Sequence, residues 1–293
     1  MIDHATVYKA LKPDDLKVLR SIENGMKTHE WVPVPDMAKY TGLSEKAVEY
    51  RLHILSGLDL IDRYTSTYLG YQLKYNGYDI LAIHAFVKRD MIQSLGGVLG
   101  VGKESVVLAA LGGTAVGPRP LAIKFHREGR TAFKQVKRKR EHLVDLEHFS
   151  WLYASKLAAQ REFEALEAIH PYVSVPEPVD YDRHAILMNV IEGYDLARTT
   201  VVDPGWYLDR ILEQVRLAYG QGYVNGDLSE YNVIVREDGV TLIDWPQYVT
   251  KSSKLAEQLL ERDVNNLLTY FERKYRIKKS LEEAISYVKG AGA

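Results

Sequence analysis

Two aspartates and an asparagine, at a spacing that suits phosphate chemistry, stand late in the chain. Asn225-Gly226-Asp227-Leu228-Ser229-Glu230-Tyr231-Asn232 sets an asparagine five positions after an aspartate, and Leu242-Ile243-Asp244 ends an apolar run on a second aspartate. Phosphoryl transfer needs such a set. One aspartate takes or orients the proton of the attacking hydroxyl, while an asparagine and a second aspartate hold Mg²⁺ against the phosphate oxygens. Magnesium is a hard cation that takes few protein oxygens and fills its shell from phosphate and water. Turn formation alone would also use aspartate and asparagine. The aspartate directly after an apolar strand makes the metal reading the stronger one.

Gly100-Val101-Gly102-Lys103-Glu104-Ser105-Val106-Val107 fits G-x-G-x-x-S-x-V, a kinase glycine loop with Ser105 at the third glycine. Glycines let a backbone approach phosphates closely. Gly97, Gly102 and Lys103 also match most of G-x₄-G-K-[ST], but Glu104 stands where a hydroxyl must meet Mg²⁺. That loop must lead into a helix, and Val106 to Ala110 reads as a strand. Leu121-Ala122-Ile123-Lys124 then matches the V-A-I-K strand whose lysine pairs with the α- and β-phosphates. Its partner is expected on the next helix, where Glu162 and Glu164 both qualify by type but, at i and i+2, cannot share one face.

These residues need elements to hold them. Residues 14–26 read as a helix that Asp14 or Asp15 can cap, with Leu16, Leu19 and Ile22 at helical spacing. Pro35 to Val48 reads as helix, turn at Gly42, then a second helix capped by Ser44, its face formed by Val48, Leu52 and Leu55 and its end at Gly57. A hairpin over 60–73 completes the order of a winged helix. Residues 75–93 read as a connecting helix. Strands follow at Val98–Leu99, Val106–Leu111 and Pro120–His126, then a helix over 151–169, a strand over 185–191, and a hairpin over 232–244 turning at Asp238-Gly239. Strand-rich then helix-rich predicts two lobes.

The resemblance these motifs carry is specific. The chain resembles a RIO atypical protein kinase of the second subfamily, which bears an N-terminal winged helix. The marks are G-V-G-K-E-S at 100–105, A-I-K at 122–124, R-E-F at 161–163, G-D-L-S-E-Y-N at 226–232 and I-D-W-P-Q at 243–247. The implied fold class is α+β: a winged helix over 1–84, then a bilobal kinase-like domain over 85–293 with a shortened C-lobe. Its N-lobe covers about 93–188, its hinge 188–192 and its C-lobe 193–293. The resemblance implies Asp227, Lys124 and Glu162 as the catalytic set, with Glu162 the lysine's partner, and Asn232 and Asp244 as metal ligands. It implies a nucleotide site of Gly100, Val101, Gly102, Lys103, Glu104, Ser105, Val107, Ala122, Lys124, Met188, Asn189, Ile191 and Ile243, with backbone groups of Asn189 and Ile191 meeting adenine. ATP and Mg²⁺, or Mn²⁺, are the implied cofactors. The implied partners are a precursor of the small ribosomal subunit and its rRNA, with a protein substrate besides.

Asn225 departs from the histidine usual in the family before Gly-Asp, which puts support of the catalytic loop in question. Only 49 residues follow Asp244, without an A-P-E motif, where an ordinary kinase has its activation segment and peptide-binding helices; the resemblance implies that the family lacks these, so a different mode of peptide recognition is expected. The runner-up enzyme is a small-molecule phosphotransferase of aminoglycoside-kinase type, which shares G-D-L-x₃-N and I-D-W. A nucleic-acid-binding scaffold on an inactive kinase fold is the reading from another class.

Composition sets limits on these readings. The 293 residues carry a net charge of −1, so nucleic-acid contact needs a local basic patch. Residues 127–142 supply seven Lys or Arg against two Glu, a solvated loop that could also meet phosphate. The second helix of the helix–turn–helix adds Lys46, Arg51 and His53 beside Glu45 and Glu49. There is no cysteine, hence no disulfide or thiolate ligand, as suits a reducing cytoplasm. The N-terminus lacks the apolar core of a secretory signal and no apolar run reaches membrane-spanning length. A cytoplasmic monomer without membrane contact is expected.

Overall fold

The computed structural model describes residues 2–114, 117–127 and 150–290. It divides into two compact units, one of residues 1–157 with 181–185, the other of 158–180 with 186–293.

The first unit opens with α1 (His4–Ala10), a helix not expected from sequence, which Asp3 caps by accepting from Ala5 N at 3.1 Å and Thr6 N at 3.2 Å. α2 (Pro13–Gly25) starts on Pro13, and Asp15 reaches back from inside the first turn to Lys12 N at 2.8 Å. Asp15 therefore caps from within the helix, while Asp14 pairs with Lys17 at 3.1 Å. After β1 (Val32–Pro33), α3 (Val34–Thr41) ends at Gly42, whose φ of +72° is the left-handed turn that lets α4 (Glu45–Gly57) follow at an angle. Ser44 caps α4 by accepting from Ala47 N, and Val48, Leu52 and Leu55 are buried as their spacing requires. β2 (Ile61–Tyr64) and β3 (Gly70–Leu73) form the wing, with β1 on the far side of β3.

α5 (Tyr75–Lys88) stops earlier than its apolar pattern, because Asp90 takes a φ of +57° and turns the chain. β4 (Ser94–Val101), β5 (Ser105–Thr114) and β6 (Gly117–His126) form an antiparallel sheet. The turn expected at the glycines is narrower than predicted. β4 runs through Gly96, Gly97 and Gly100 with register shifts between Leu95 and Val98 and between Val98 and Gly100, so the glycines serve as bulges and only 102–104 turn.

Asp79 on α5 is fully buried and takes hydrogen bonds from His4 Nε2 and His184 Nε2, each at 2.8 Å, and a two-pronged pair from Arg127. Burial alone would push this carboxyl up, but the bonds from His184, His4 and Arg127 and the arginine's charge outweigh it and hold the group well below the usual carboxylate range. Arg127 was grouped with the solvated basic stretch; it is instead an internal ion-pair partner, its guanidinium 4.7 Å from the Tyr75 ring centre. The rest of that stretch, 128–142, lies outside the described residues.

The boundary between the units falls within α6 (Ser150–Ile169). The second unit continues with β7 (Pro178–Asp182) and β8 (Ala185–Asn189), whose hairpin tip belongs to the first unit, then β9 (Tyr194–Asp195) and α7 (Pro204–Gly220). β10 (Tyr223–Val224) precedes the Asp227 loop. β11 (Val233–Arg236) and β12 (Gly239–Leu242) form the expected hairpin, but Arg236 pairs with Gly239, so Glu237 and Asp238 make the turn rather than Asp238 and Gly239. β13 (Val249–Thr250) pairs back onto β10, and α8 (Ala256–Tyr275) and α9 (Leu281–Lys289) follow. Among the described residues no helix is long and apolar enough to cross a membrane.

Replacing Asp79 by asparagine leaves the half-buried Arg127 cation without its anion. Loss of one partner of such a pair is expected to cost about 3–5 kcal/mol in urea denaturation. A loss under about 1 kcal/mol would show that the cluster is solvated and not structural.

Candidate functional site

In the first unit the sheet register builds one row across three strands. Gly100 pairs with Val107 and Val107 with Lys124, so the glycine and the lysine flank Val107 in that row. Ala122 stands opposite Ala109 two positions along. Lys124 is only 6 % exposed, whereas Val101, Gly102, Lys103 and Glu104 are exposed at the turn. Gly102 N donates to Ser105 O at 2.9 Å and Arg127 N to Glu104 O at 2.7 Å, which pin the turn from both ends. A Cβ added at Gly100 would meet open space, so no internal packing demands a glycine there. A backbone kept bare for close approach of a phosphate group suits that position.

In the second unit the loop carrying Asp227 is held almost wholly by side chains. Gly226 has a φ of +79° and a Cβ there would come within 2.7 Å of Gln247 O, so only glycine fits. Its N–H donates to Asp263 Oδ2 at 2.7 Å, its carbonyl accepts from Arg262, and Leu228 O accepts from Asn266 Nδ2 at 3.2 Å. All three partners come from α8. The expectation for Asn225 is corrected: its Oδ1 accepts from Asp227 N at 3.1 Å and its Nδ2 donates to Asp244 O at 3.0 Å. An amide donates and accepts at once, so the loop is supported without a histidine.

Asn232 gives its Nδ2 to Asp227 O at 2.9 Å, which leaves Oδ1 as the acceptor a cation can use. Its carbonyl takes Ile243 N at 2.9 Å, tying it to the strand end at Asp244. Asp244 itself has a φ of +67°, a conformation that costs a non-glycine residue about 1–3 kcal/mol and persists only where neighbours impose it. Partial desolvation pushes the Asp227 carboxyl above its ordinary pKa; Arg262 opposes this and the charge of Asp244 adds to it. Two carboxylates close enough to repel, beside an amide oxygen, are a hard-oxygen set that suits Mg²⁺, with phosphate and water completing its shell. Among the described residues no group of three or more His, Asp or Glu is placed to hold a metal ion.

The two candidate glutamates on α6 separate by burial. Glu162 is 1 % exposed and accepts from Trp245 N at 3.1 Å, while Glu164 takes Gln160 Nε2 at 2.8 Å on the outer face. Met188 is buried at the end of β8, and Ile191 and Ile243 are half-buried. Asn189 N donates to Glu177 O at 3.0 Å and its Nδ2 to Glu177 Oε2 at 2.6 Å, so its N–H, expected to meet adenine, serves the fold. Lys124 belongs to the first unit and Glu162 to the second.

Sequence reading missed Asp263, Arg262 and Asn266. The signal for Asp263 was present: a lone aspartate on the apolar stripe of Leu260, Val264 and Leu267 has no reason to be there unless it binds something. Burial pushes its carboxyl up to about 6, against the Gly226 N–H, Arg262 and the Leu228 N–H, with Asp227 adding to the rise.

The chain matches the model of the RIO domain over residues 107–284 and that of the Rio2 N-terminal domain over 8–89. It is 43 % identical over 268 residues to the RIO-type serine/threonine-protein kinase Rio2 of Methanocaldococcus jannaschii, covering 88 % of this chain and 96 % of that one. It is 36 % identical over 272 residues to the serine/threonine-protein kinase rio2 of Schizosaccharomyces pombe, covering 92 % and 78 %. Its fold is similar to a crystal structure of the Rio2 kinase of Chaetomium thermophilum in complex with ADP, Mg²⁺ and phosphoaspartate, with a TM-score of 0.80, 31 % identity and coverage of 100 % and 91 %.

A group whose folded pKa is raised stabilises below its unfolded pKa and loses that contribution as pH rises through the folded value. For Asp263 the window runs from about 4 to about 6. Two pKa units correspond to about 3 kcal/mol. Wild type is therefore expected to lose up to about 3 kcal/mol relative to Asp263→Asn between pH 4 and pH 7 in denaturant titrations. Parallel stability–pH curves for the two proteins would refute the assignment.

Proposed function

The chain belongs to the RIO family of protein kinases, in the Rio2 branch with its N-terminal winged-helix domain, and we propose that it uses ATP and Mg²⁺ in maturation of the small ribosomal subunit. Family membership sets aside the small-molecule phosphotransferase reading. The observation that carries the catalytic assignment is the single amide of Asn225 joining Asp227 to Asp244.

In this reading Asp227, with its raised pKa, orients the attacking hydroxyl and takes its proton. Asn232 Oδ1 and the Asp244 carboxylate would hold Mg²⁺, which supplies charge neutralisation at the phosphates. Lys124, in one row with Gly100 and Val107, would place the α- and β-phosphates. Glu162 fixes the backbone that follows Asp244. A second reading concerns the acceptor. The phosphoaspartate named for the C. thermophilum complex favours a cycle in which an aspartate carboxylate takes the phosphoryl group and water later releases it, an ATPase that would drive a release step.

We also propose that the winged helix and the basic 127–142 stretch contact ribosomal RNA. On α4, Lys46 and His53 are exposed, but Arg51 is turned back to Asp14 and Asp15 at 3.9 and 3.5 Å. The helix thus offers a weaker basic face than its sequence promised, and the larger share of phosphate contact falls to residues beyond Arg127.

Asp227→Ala and Asp244→Ala are each expected to lower phosphoryl transfer by about 10³-fold or more with the fold retained; near-normal ATP turnover in either variant would sink the site. Changing Lys137, Arg138, Lys139 and Arg140 together to Ala is expected to reduce the slope of log K against log salt for ribosomal RNA by up to about 3 to 4. RNA affinity that responds neither to salt nor to this change would rule out the electrostatic contact.

A further inference from the structure

Arg161 stands next to Glu162 on α6, and neither the motif nor the reaction assigns it a task. Its Nε donates to Pro246 O at 3.2 Å and its Nη2 donates to Tyr248 O. Its guanidinium lies 4.7 Å from the centre of the Tyr248 ring, and that ring packs on Tyr223 with centroids 5.4 Å apart. One planar cation thus closes over residues 246–248 by two hydrogen bonds and a stacking contact, a combination that lysine cannot make.

The segment so held begins two residues after Asp244. Asp244 has its backbone in the left-handed region, where side-chain-bearing residues rest only if their surroundings impose it. Asn225 holds its carbonyl and Glu162 holds the next N–H. Beyond Arg161's grip, Val249 and Thr250 pair with Val224 and Tyr223, and the chain from Val224 runs directly into Asn225. Without Arg161 the span from Trp245 to β13 would keep the bonds at Trp245 N and Nε1 and the packing of Tyr248 on Tyr223, but would lose the side-chain bonds to the carbonyls of Pro246 and Tyr248. The backbone that follows Asp244 is therefore held by both residues of the α6 dipeptide, Arg161 and Glu162.

We propose that Arg161 is a positioning residue for the divalent cation: it locks the chain after Asp244 so that the carboxylate meets the metal in the required direction. The proposal rests on Asp244 being a metal ligand. Mg²⁺ and Mn²⁺ prefer octahedral geometry, so loosening this segment weighs on the cation more than on the nucleotide. Groups that orient a ligand from behind commonly set metal affinity by one to two orders of magnitude.

The test is Mn²⁺ binding to the full chain in the presence of ADP, read from the electron paramagnetic resonance of free Mn²⁺, with metal-free ADP binding as the control. Arg161→Lys is expected to weaken Mn²⁺ binding about tenfold, to change ADP binding in EDTA by less than about twofold, and to regain turnover as Mg²⁺ is raised. Tyr248→Leu, which keeps both carbonyls and removes only the ring, is expected to shift Mn²⁺ binding in the same direction by a smaller factor, and it carries the test if Arg161→Lys does not fold. Unchanged Mn²⁺ affinity in a folded variant overturns the proposal, as does an equal fall in metal-free ADP binding. Asp244→Ala separates the premise: if it binds Mn²⁺ as wild type does, Asp244 is not a ligand, and the metal reading itself fails.

Discussion

The side chain of Asn225 accepts a hydrogen bond from Asp227 and gives one to Asp244, and the remaining geometry of the second unit is arranged around that bridge. Each aspartate sits on its own loop, and a loop by itself holds a carboxylate poorly. The amide sets the distance between the loops at the backbone, so both side chains inherit a fixed origin. α8 then anchors the first loop through Arg262, Asp263 and Asn266, and α6 anchors the second through Arg161 and Glu162. Both helices are rigid elements with buried faces, which is what a site requiring sub-ångström placement needs behind it.

Two buried carboxylates show how differently the same group can be satisfied. Asp79 faces an arginine and two histidines, and their hydrogen bonds and charge overcome the cost of burial. Asp263 faces mainly backbone N–H groups, and with Arg262 only at its margin burial prevails and its pKa rises. The first is a permanent ion in a structural role within the first unit. The second is a hydrogen-bond acceptor whose charge is costly near neutral pH, retained where the Asp227 loop needs it. Stability is spent there on keeping Gly226 and Leu228 in place, a common trade at functional sites.

Asp244 shows the same trade in the backbone. Its left-handed φ is unfavourable for an aspartate, yet its own carbonyl, the N–H that follows it and the carbonyls of Pro246 and Tyr248 are each bonded to a side chain. Strain held this firmly fixes the backbone from which the carboxylate projects.

Much of this was legible in the chain alone. Apolar spacing marked α2, α4 and the hairpins, because periodicities of 3.6 and 2 record which face of an element is buried. The order glycine loop, strand lysine, Asp-x₄-Asn and Ile-Asp identified the chemistry, since each motif works through residues close in sequence. What the sequence could not decide was contact between distant residues. Glu162 and Glu164 were equal by residue type, with only the family resemblance favouring Glu162, and burial then set them apart; Asn225 looked like a lost support until its two bonds were seen, and Arg127 and Arg51 looked like surface cations until their aspartates came into view. Asp263 and Arg161 reach partners 37 and 85 positions away, and hydrogen bonds across such separations leave no periodic trace in one sequence. Local pattern specifies the element and its exposed face, but only the folded chain specifies which backbone group that face meets.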